Sequence, residues 1–150
     1  MLRASLLDVN VLVALAWPNH VHHEAAAAWF QKARKAGWAT CPTTQAGFVR
    51  ASSNARAIPG AVSPRDAFGV LERITALPEH RFYADDIDLS TSSLVFRERI
   101  VGFRQVTDAH LLAVAVRNGG RLATFDRALL DLVPSGTDPD DAVVLLGSTS

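Results

Sequence analysis

Five short, mostly apolar runs separated by helical segments constrain the fold of this chain more than any other feature. The runs cover residues 2–7, 38–42, 80–84, 121–125 and 142–147. Their length suits strands rather than helices, and their lack of polar alternation suits strands that are buried on both faces. Such strands, alternating with helices, are typical of a parallel sheet covered by helices on both sides. The sequence therefore predicts an α/β fold with helices on both faces of a central, mostly parallel five-stranded sheet.

The segments between the runs carry helix signals. Thr43 or Thr44 can cap a helix over residues 43–54, and Thr107 can cap another over residues 107–120. A Ser-Pro pair at 63–64 begins a helix that runs to about residue 77, because proline is favoured at the first helical position. Further helices are predicted from residue 11 to about 17 and over 20–37, 90–100 and 127–132, and a surface loop over 134–141.

Length and composition restrict the class of protein. With 150 residues, the chain is predicted to form one domain over 1–150. The formal net charge is +0, so overall charge gives no support for nucleic-acid binding. The single cysteine, Cys41, excludes an intrachain disulfide. No signal-peptide pattern is present and no apolar run approaches the roughly 18 residues of a membrane span, so a soluble cytoplasmic protein without membrane association is expected.

Three aspartates occupy comparable positions around the predicted sheet. Asp8 ends the first strand inside an otherwise apolar stretch, Asp126 follows the fourth strand, and Asp108 opens the helix that leads into that strand. If the first and fourth strands are neighbours, Asp8 and Asp126 lie at the same edge, where ligands bind in such sheets. Ordinary structural roles remain open: Asp126 as a helix cap, Asp108 as a first-turn acid, and Asp8 in an Asx-turn.

Clustered carboxylates favour a divalent cation, because like charges raise the pKa of one another and a cation relieves that conflict. Oxygen ligands suit Mg²⁺ or Mn²⁺, whereas the histidines of HVHH, residues 20–23, resemble a surface helix more than a metal site. Other α/β chemistries lack their motifs. A haloacid-dehalogenase-type hydrolase would need an acid at Asn10, receiver domains need an acidic pair, and the glycine-rich nucleotide loops and GxSxG are absent.

At residues 3–146 the chain resembles the PIN domain, and more closely the VapC-type ribonuclease toxins of prokaryotic toxin–antitoxin pairs. The resemblance depends on the order and spacing of LLDVN (6–10), TDAHLLAVA (107–115) and GGRLATFD (119–126). It implies a PIN-like three-layer α/β/α sandwich. It also implies an acidic site that binds Mg²⁺ or Mn²⁺ and hydrolyses RNA phosphodiesters, leaving a 5′-phosphate and a 3′-hydroxyl.

The resemblance also assigns roles to residues. Asp8, Asp108 and Asp126 match the family's catalytic and metal-binding aspartates. The supporting polar positions are matched by Asn10 and Thr124, and by Gln45 where the family often has a glutamate. Because Gln45 carries no charge, the resemblance does not extend to tight binding of a second metal ion.

Three further residues near these positions have open roles. Asp85 or Asp86, after the third strand, is either a substitute for the missing carboxylate or, more simply, a solvated loop acid. Arg50 can contact an RNA phosphate or pair with a surface acid.

The implied partners are a small VapB-type antitoxin, the RNA substrate and a second copy of the chain. Apolar residues in 11–17, Trp29, Phe30 and Phe48 could serve an antitoxin or a homodimer, although most are expected in the core. Two other functions remain open. One is a domain that binds antitoxin or RNA without cleavage, because Gln45 weakens the site, and the other is a general α/β phosphatase.

Overall fold

The computed structural model describes residues 3–147 and contains one five-stranded sheet. The strands are shorter than their sequence runs and pair in the order β3-β2-β1-β4-β5, all in parallel. The predicted parallel sheet is therefore confirmed. The strands are β1 (Ser5–Leu7), β2 (Trp38–Thr40), β3 (His80–Phe82), β4 (Arg121–Thr124) and β5 (Val143–Leu145).

Helices cover both faces of the sheet and complete three layers. Successive strand residues point to opposite faces, so Leu6 and Leu122 pack into one core and Leu7 and Ala123 into the other. The core that contains Leu7 holds residues of the first four helices, and the core that contains Leu6 holds residues of the last two. The helices are α1 (Val9–Ala16), α2 (His23–Ala33), α3 (Pro42–Ser52), α4 (Pro64–Thr75), α5 (Gln105–Arg117) and α6 (Pro139–Ala142).

The helix predicted over residues 90–100 is wrong. This segment consists of turns and a short 3₁₀ helix, Arg97–Arg99. The side chain of Asp88 accepts a hydrogen bond from the Ser90 N–H, and Ser92 Oγ accepts one from the Leu94 N–H. Asp and Ser side chains that bond nearby backbone in this way compete with helical hydrogen bonding, which explains the difference.

Two predicted helix caps are also wrong. Cys41 is the N-cap of α3, where Pro42 takes the first helical position and Thr44 Oγ1 accepts from the Cys41 N–H at 3.0 Å. Helix α5 begins at Gln105, before Thr107, because Gln105 Oε1 accepts from two preceding backbone N–H groups, at 2.7 and 2.9 Å. By contrast, Ser63 caps α4 as predicted, through its hydroxyl and the Asp66 N–H.

Two smaller differences lie near the C-terminal end. Residues 127–132 form a 3₁₀ helix, and the predicted surface loop contains the single turn of α6, capped by Asp138. Among residues 3–147, no helix combines the length and apolarity required to cross a membrane.

The strand order places a topological switch at the centre of the sheet. From β1 the chain continues to β2 and β3 on one side, whereas β4 and β5 lie on the other. In open parallel sheets, the crevice beyond the carboxyl ends of the strands flanking such a switch is the usual place for a ligand. Here those strands are β1 and β4, which are paired directly through Leu6 and Leu122.

Candidate active site

Asp8 is held rigidly at the carboxyl end of β1. It is the N-cap of α1, and its Oδ1 accepts from the Val9 N–H at 2.8 Å. Its Oδ2 accepts from Thr124 Oγ1 at 2.8 Å, and its backbone N–H donates to the Ala123 carbonyl at 2.9 Å. Only 8% of the residue is exposed. The buried carboxylate is therefore tolerated through hydrogen bonds from the protein, and its orientation is fixed by β4.

Thr124 connects two of the predicted site acids. Its buried hydroxyl donates to Asp8 and accepts from the Asp126 N–H at 3.0 Å. Asp126 is exposed and caps the following 3₁₀ helix, with its Oδ1 accepting from the Ala128 N–H at 2.9 Å. Asp126 therefore caps a helix and Asp8 makes an Asx-type bond, as the ordinary structural roles predict, and the Oδ2 of Asp126 accepts no hydrogen bond within residues 3–147.

Asp108 lies in the first turn of α5 and is partly buried. Burial, together with the negative charges of Asp8 and Asp126, raises the pKa of Asp108 to about 6. The pKa of Asp8 is also raised, mainly by burial and in part by Asp126, although hydrogen bonds from Thr124 and Val9 oppose the rise. The fold thus brings together the three aspartates predicted from sequence, and they interact electrostatically.

The three carboxylates fit a hard divalent cation by donor type and charge. Their spacing is more open than a finished metal site: residues 3–147 contain no group of three or more His, Cys, Asp and Glu side chains placed to hold an ion. Two of the carboxylates are turned toward protein donors, Asp8 toward Thr124 and Asp126 toward Ala128. The negative charges of the three carboxylates repel one another, and a bound divalent cation would offset this repulsion and allow closer spacing.

The other predicted site residues differ in their surroundings. Gln45 is partly buried in α3, and its Nε2 donates to Thr40 Oγ1 at 3.0 Å. Asn10 is exposed and makes no side-chain hydrogen bond within the described part of the chain. Arg50 is exposed in the last turn of α3 and takes part in none of the ion pairs found among residues 3–147. Its place at that end suits the helix dipole.

Asp85 belongs to a separate network. Its Oδ2 accepts from the backbone N–H of Thr43 at 2.9 Å and from the Thr43 hydroxyl at 2.7 Å, and its Oδ1 contacts His110 Nε2 at 3.1 Å. Burial alone would raise the pKa of Asp85, but these hydrogen bonds outweigh it and lower the pKa. Asp86 pairs with Arg117 at 3.2 Å. Both acids have protein partners, and none of these contacts involves Asp8, Asp108 or Asp126.

Sequence reasoning missed three side chains that organise this edge: Thr40, His80 and His110. Thr40 is fully buried at the end of β2, and its Oγ1 lies 2.8 Å from His80 Nε2. His110 follows Asp108 by two positions on α5. A polar residue at a strand end was the only available signal for Thr40, whereas the two histidines become relevant only once strands and helices are assembled.

The chain is similar to a family model and to curated proteins. The PIN-domain family model matches residues 5–133. Ribonuclease VapC39 and ribonuclease VapC38, both of Mycobacterium tuberculosis, are similar to this chain. VapC39 is 49% identical over 88% of this chain and 95% of its own length, and VapC38 is 51% identical over 85% and 89%.

A solved structure shows the same fold. The crystal structure of VapBC2 from Rickettsia felis bound to a promoter DNA fragment aligns with a TM-score of 0.55 at 10% identity, covering 87% of this chain and 96% of that one. The family model and the curated relatives establish the assignment independently of that distant structure. The chain belongs to the PIN-domain family, and within it to the VapC group.

Proposed function

We propose that this protein is a metal-dependent ribonuclease that acts in the cytoplasm as the toxin of a VapBC-type toxin–antitoxin pair. One observation carries the proposal: Asp8, Asp108 and Asp126 come from different parts of the chain but lie near the switch point of the sheet, where the charge of Asp126 raises the pKa of both Asp8 and Asp108. Relatives named as VapC ribonucleases, 38–51% identical to this chain, support the same activity.

The proposed cofactor is Mg²⁺, with Mn²⁺ as an alternative. Asp8 and Asp108 would hold the ion, and Asp126 would contribute directly or through water. When bound, the ion supplies an activated water and charge stabilisation at the scissile phosphate. Thr124 would keep the Asp8 carboxylate oriented through its 2.8 Å hydrogen bond. Asp108 must lose its proton to serve as a ligand, and its raised pKa couples ion binding to pH.

An apolar cleft between α1, α2 and α4 supports the proposed antitoxin partner. It encloses about 270 Å³, lined by apolar side chains that include Leu15, Phe30 and Ile74. Within the stretches predicted to serve a partner, Val11, Leu12, Val13 and Phe48 are core residues, whereas Leu15, Trp29 and Phe30 are only partly buried. An apolar segment of a VapB-type antitoxin would cover these side chains.

A different apolar surface supports the proposed homodimer. Val101, Phe103 and Val106, just before and within the start of α5, are 91%, 84% and 46% exposed. Exposed apolar patches mark protein–protein association sites, and these three strongly exposed side chains are close together in the sequence. Their position beside the helix that carries Asp108 would bring the active sites of two copies near their shared interface.

A second candidate function is a domain that binds antitoxin or RNA without cleavage. Gln45 at the usual glutamate position favours it, as does the open spacing of the acids. The two candidate functions differ in what they require. Only the ribonuclease needs ionised acids and a divalent cation.

RNA cleavage by purified protein tests the proposal. Wild type, Asp8→Asn and Asp131→Asn are compared with Mg²⁺, with Mn²⁺ and with a chelator, using mixed cellular RNA and 5′-end mapping. Asp131 is an exposed acid on the 3₁₀ helix after Asp126, and its replacement controls for a general loss of negative charge.

Cleavage by wild type and Asp131→Asn, dependent on the cation and lost in Asp8→Asn, is the expected result. Equal cleavage by Asp8→Asn, or cleavage in chelator, would contradict the assignment. RNA binding without cleavage by wild type would favour the binding domain.

A further inference from the structure

Gln45, Thr40 and His80 form a hydrogen-bonded chain along the carboxyl end of β2. Gln45 Nε2 lies 3.0 Å from Thr40 Oγ1, which in turn lies 2.8 Å from His80 Nε2. Thr40 is completely buried, and the His80 ring is held against Trp38 with ring centroids 4.7 Å apart. The group lies between α3 and β3, so it constrains the one residue that departs from the family's acidic pattern.

The direction of this chain follows from the single hydrogen of the Thr40 hydroxyl. A threonine hydroxyl donates once and can accept through its lone pairs. Because Gln45 presents its amino group, Thr40 must accept from Gln45 and is free to donate to His80. Within residues 3–147 the buried Thr40 hydroxyl has no other acceptor for its hydrogen, so it donates to His80 Nε2, and the ring proton is then on Nδ1. Burial lowers the pKa of His80, in keeping with a neutral ring.

The amide of Gln45 is thereby oriented. With Nε2 used by Thr40, the carbonyl oxygen Oε1 accepts no hydrogen bond from any residue in the described range 3–147. Gln45 is only partly buried, so this oxygen remains available to a ligand. A glutamate at this position has no hydrogen to give Thr40, and would require the hydroxyl to turn toward it and His80 to become the donor.

We propose that Thr40 and His80 are positioning residues that fix the Gln45 amide with its carbonyl oxygen free, as a neutral hydrogen-bond acceptor at the carboxyl end of β2. The amide of Gln45 thus supplies the hydrogen-bond donor that Thr40 accepts, a role that the carboxylate of a glutamate could not fill. The proposed donor to this carbonyl oxygen is a water or a ribose hydroxyl of the substrate. That assignment of the donor rests on the proposed ribonuclease function. The hydrogen-bond direction itself does not.

The tautomer of His80 reports this direction and can be read by ¹⁵N NMR of the histidine rings at a pH where the ring is neutral. The His80 signals are assigned by their absence in His80→Gln. Wild type is expected to carry the proton on Nδ1, with Nε2 showing the downfield shift of an unprotonated nitrogen. Thr40→Ser retains the hydroxyl and should preserve this state, whereas Thr40→Val removes the donor and should abolish the preference.

Substitutions of Gln45 supply the sharper comparison. Gln45→Glu should move the His80 proton from Nδ1 to Nε2, because the carboxylate takes the Thr40 hydrogen. Gln45→Leu removes the amide but leaves Thr40 free to donate, so the Nδ1 tautomer should persist. These readouts need neither metal nor RNA, so an inactive protein with the expected tautomers would reject the ribonuclease and leave the positioning role intact.

Three results would overturn the proposal. They are an Nε2-protonated ring in wild type, an unchanged tautomer in Gln45→Glu, and an unchanged tautomer in Thr40→Val. Thermal unfolding of each variant confirms that the spectra come from folded protein. If Thr40→Val does not fold, the Gln45→Glu and Gln45→Leu pair still decides the question.

Discussion

The two halves of the sheet's carboxyl edge treat their acidic residues differently. Beyond β1 and β4, burial and neighbouring negative charge raise the pKa of Asp8 and Asp108. Beyond β2 and β3, hydrogen bonds from Thr43 and His110 lower the pKa of Asp85 despite its partial burial. The difference lies in partners: Asp85 is paired with donors from two helices, whereas Asp108 makes no side-chain hydrogen bond within residues 3–147 and faces two like charges.

This contrast separates a structural acid from an acid suited to bind a ligand. The protein itself stabilises the charge of Asp85. That carboxylate links α3 to α5 through Thr43 and His110, and it needs no metal ion. At Asp8 and Asp108 the repulsion is left in place, and raised pKa values of this kind are typical of functional sites. The possibility that Asp85 or Asp86 replaces the missing glutamate therefore loses its support, since both are engaged elsewhere.

The largest expected difference between the two halves is in RNA cleavage. Asp108→Asn removes a proposed metal ligand and should reduce cleavage by about 100-fold or more, the usual scale for losing a preorganised charge contact. Asp85→Asn keeps the side-chain shape and should reduce cleavage far less. Initial rates at saturating Mg²⁺ give the comparison. Similar losses in both variants would show that the acids of the two halves act as one site.

Stability without metal should show the reverse order. Asp85→Ala removes the acceptor for Thr43 and the partner of His110, and should cost about 1–2 kcal/mol in the free energy of unfolding. Asp108→Asn relieves repulsion and should leave stability at pH 8 unchanged or higher. Urea unfolding with a chelator present measures both. Destabilisation by Asp108→Asn at that pH would mean that its charge is already compensated by the protein.

The smallest expected effect is a pH dependence of stability carried by Asp108. Its pKa is about 6 in the folded protein and 3.8 ordinarily, so the folded state binds more protons between these values. By linkage, stability is retained below pH 3.8 and is lost as pH rises toward about 6. In chelator, the Tm of wild type relative to Asp108→Asn should therefore fall across this window. A difference that stays flat, or rises with pH, would contradict the assignment.

Much of this arrangement is predictable from sequence because it follows from strand-end positions. Asp8 and Asp126 follow strands that the apolar runs identify, and parallel strands place their carboxyl ends at one edge. Asp108 could be located only along the chain. Its place beside the other two depends on how α5 packs against the sheet, which periodicity does not specify.

The misjudged features share a cause in short-range side-chain hydrogen bonding. Asp88 and Ser92 replace the helix expected at 90–100 with turns, and Gln105 starts α5 before Thr107. Pairings across the fold were equally out of reach. Asp85 and His110 are 25 positions apart, and Thr40 and His80 are 40 apart, so their contacts appear only in the assembled structure.

The central claim is that the mutually repelling acids Asp8, Asp108 and Asp126, and not Asp85 after β3, hold a divalent cation. Calorimetric titration of Mg²⁺ and Mn²⁺ into wild type, Asp8→Asn and Asp85→Asn at pH 8 tests it directly, with no RNA present. Wild type and Asp85→Asn should bind the ions with dissociation constants of millimolar or below, and Asp8→Asn should show no binding in that range. Absence of binding by wild type, or equal binding by all three proteins, would contradict the account.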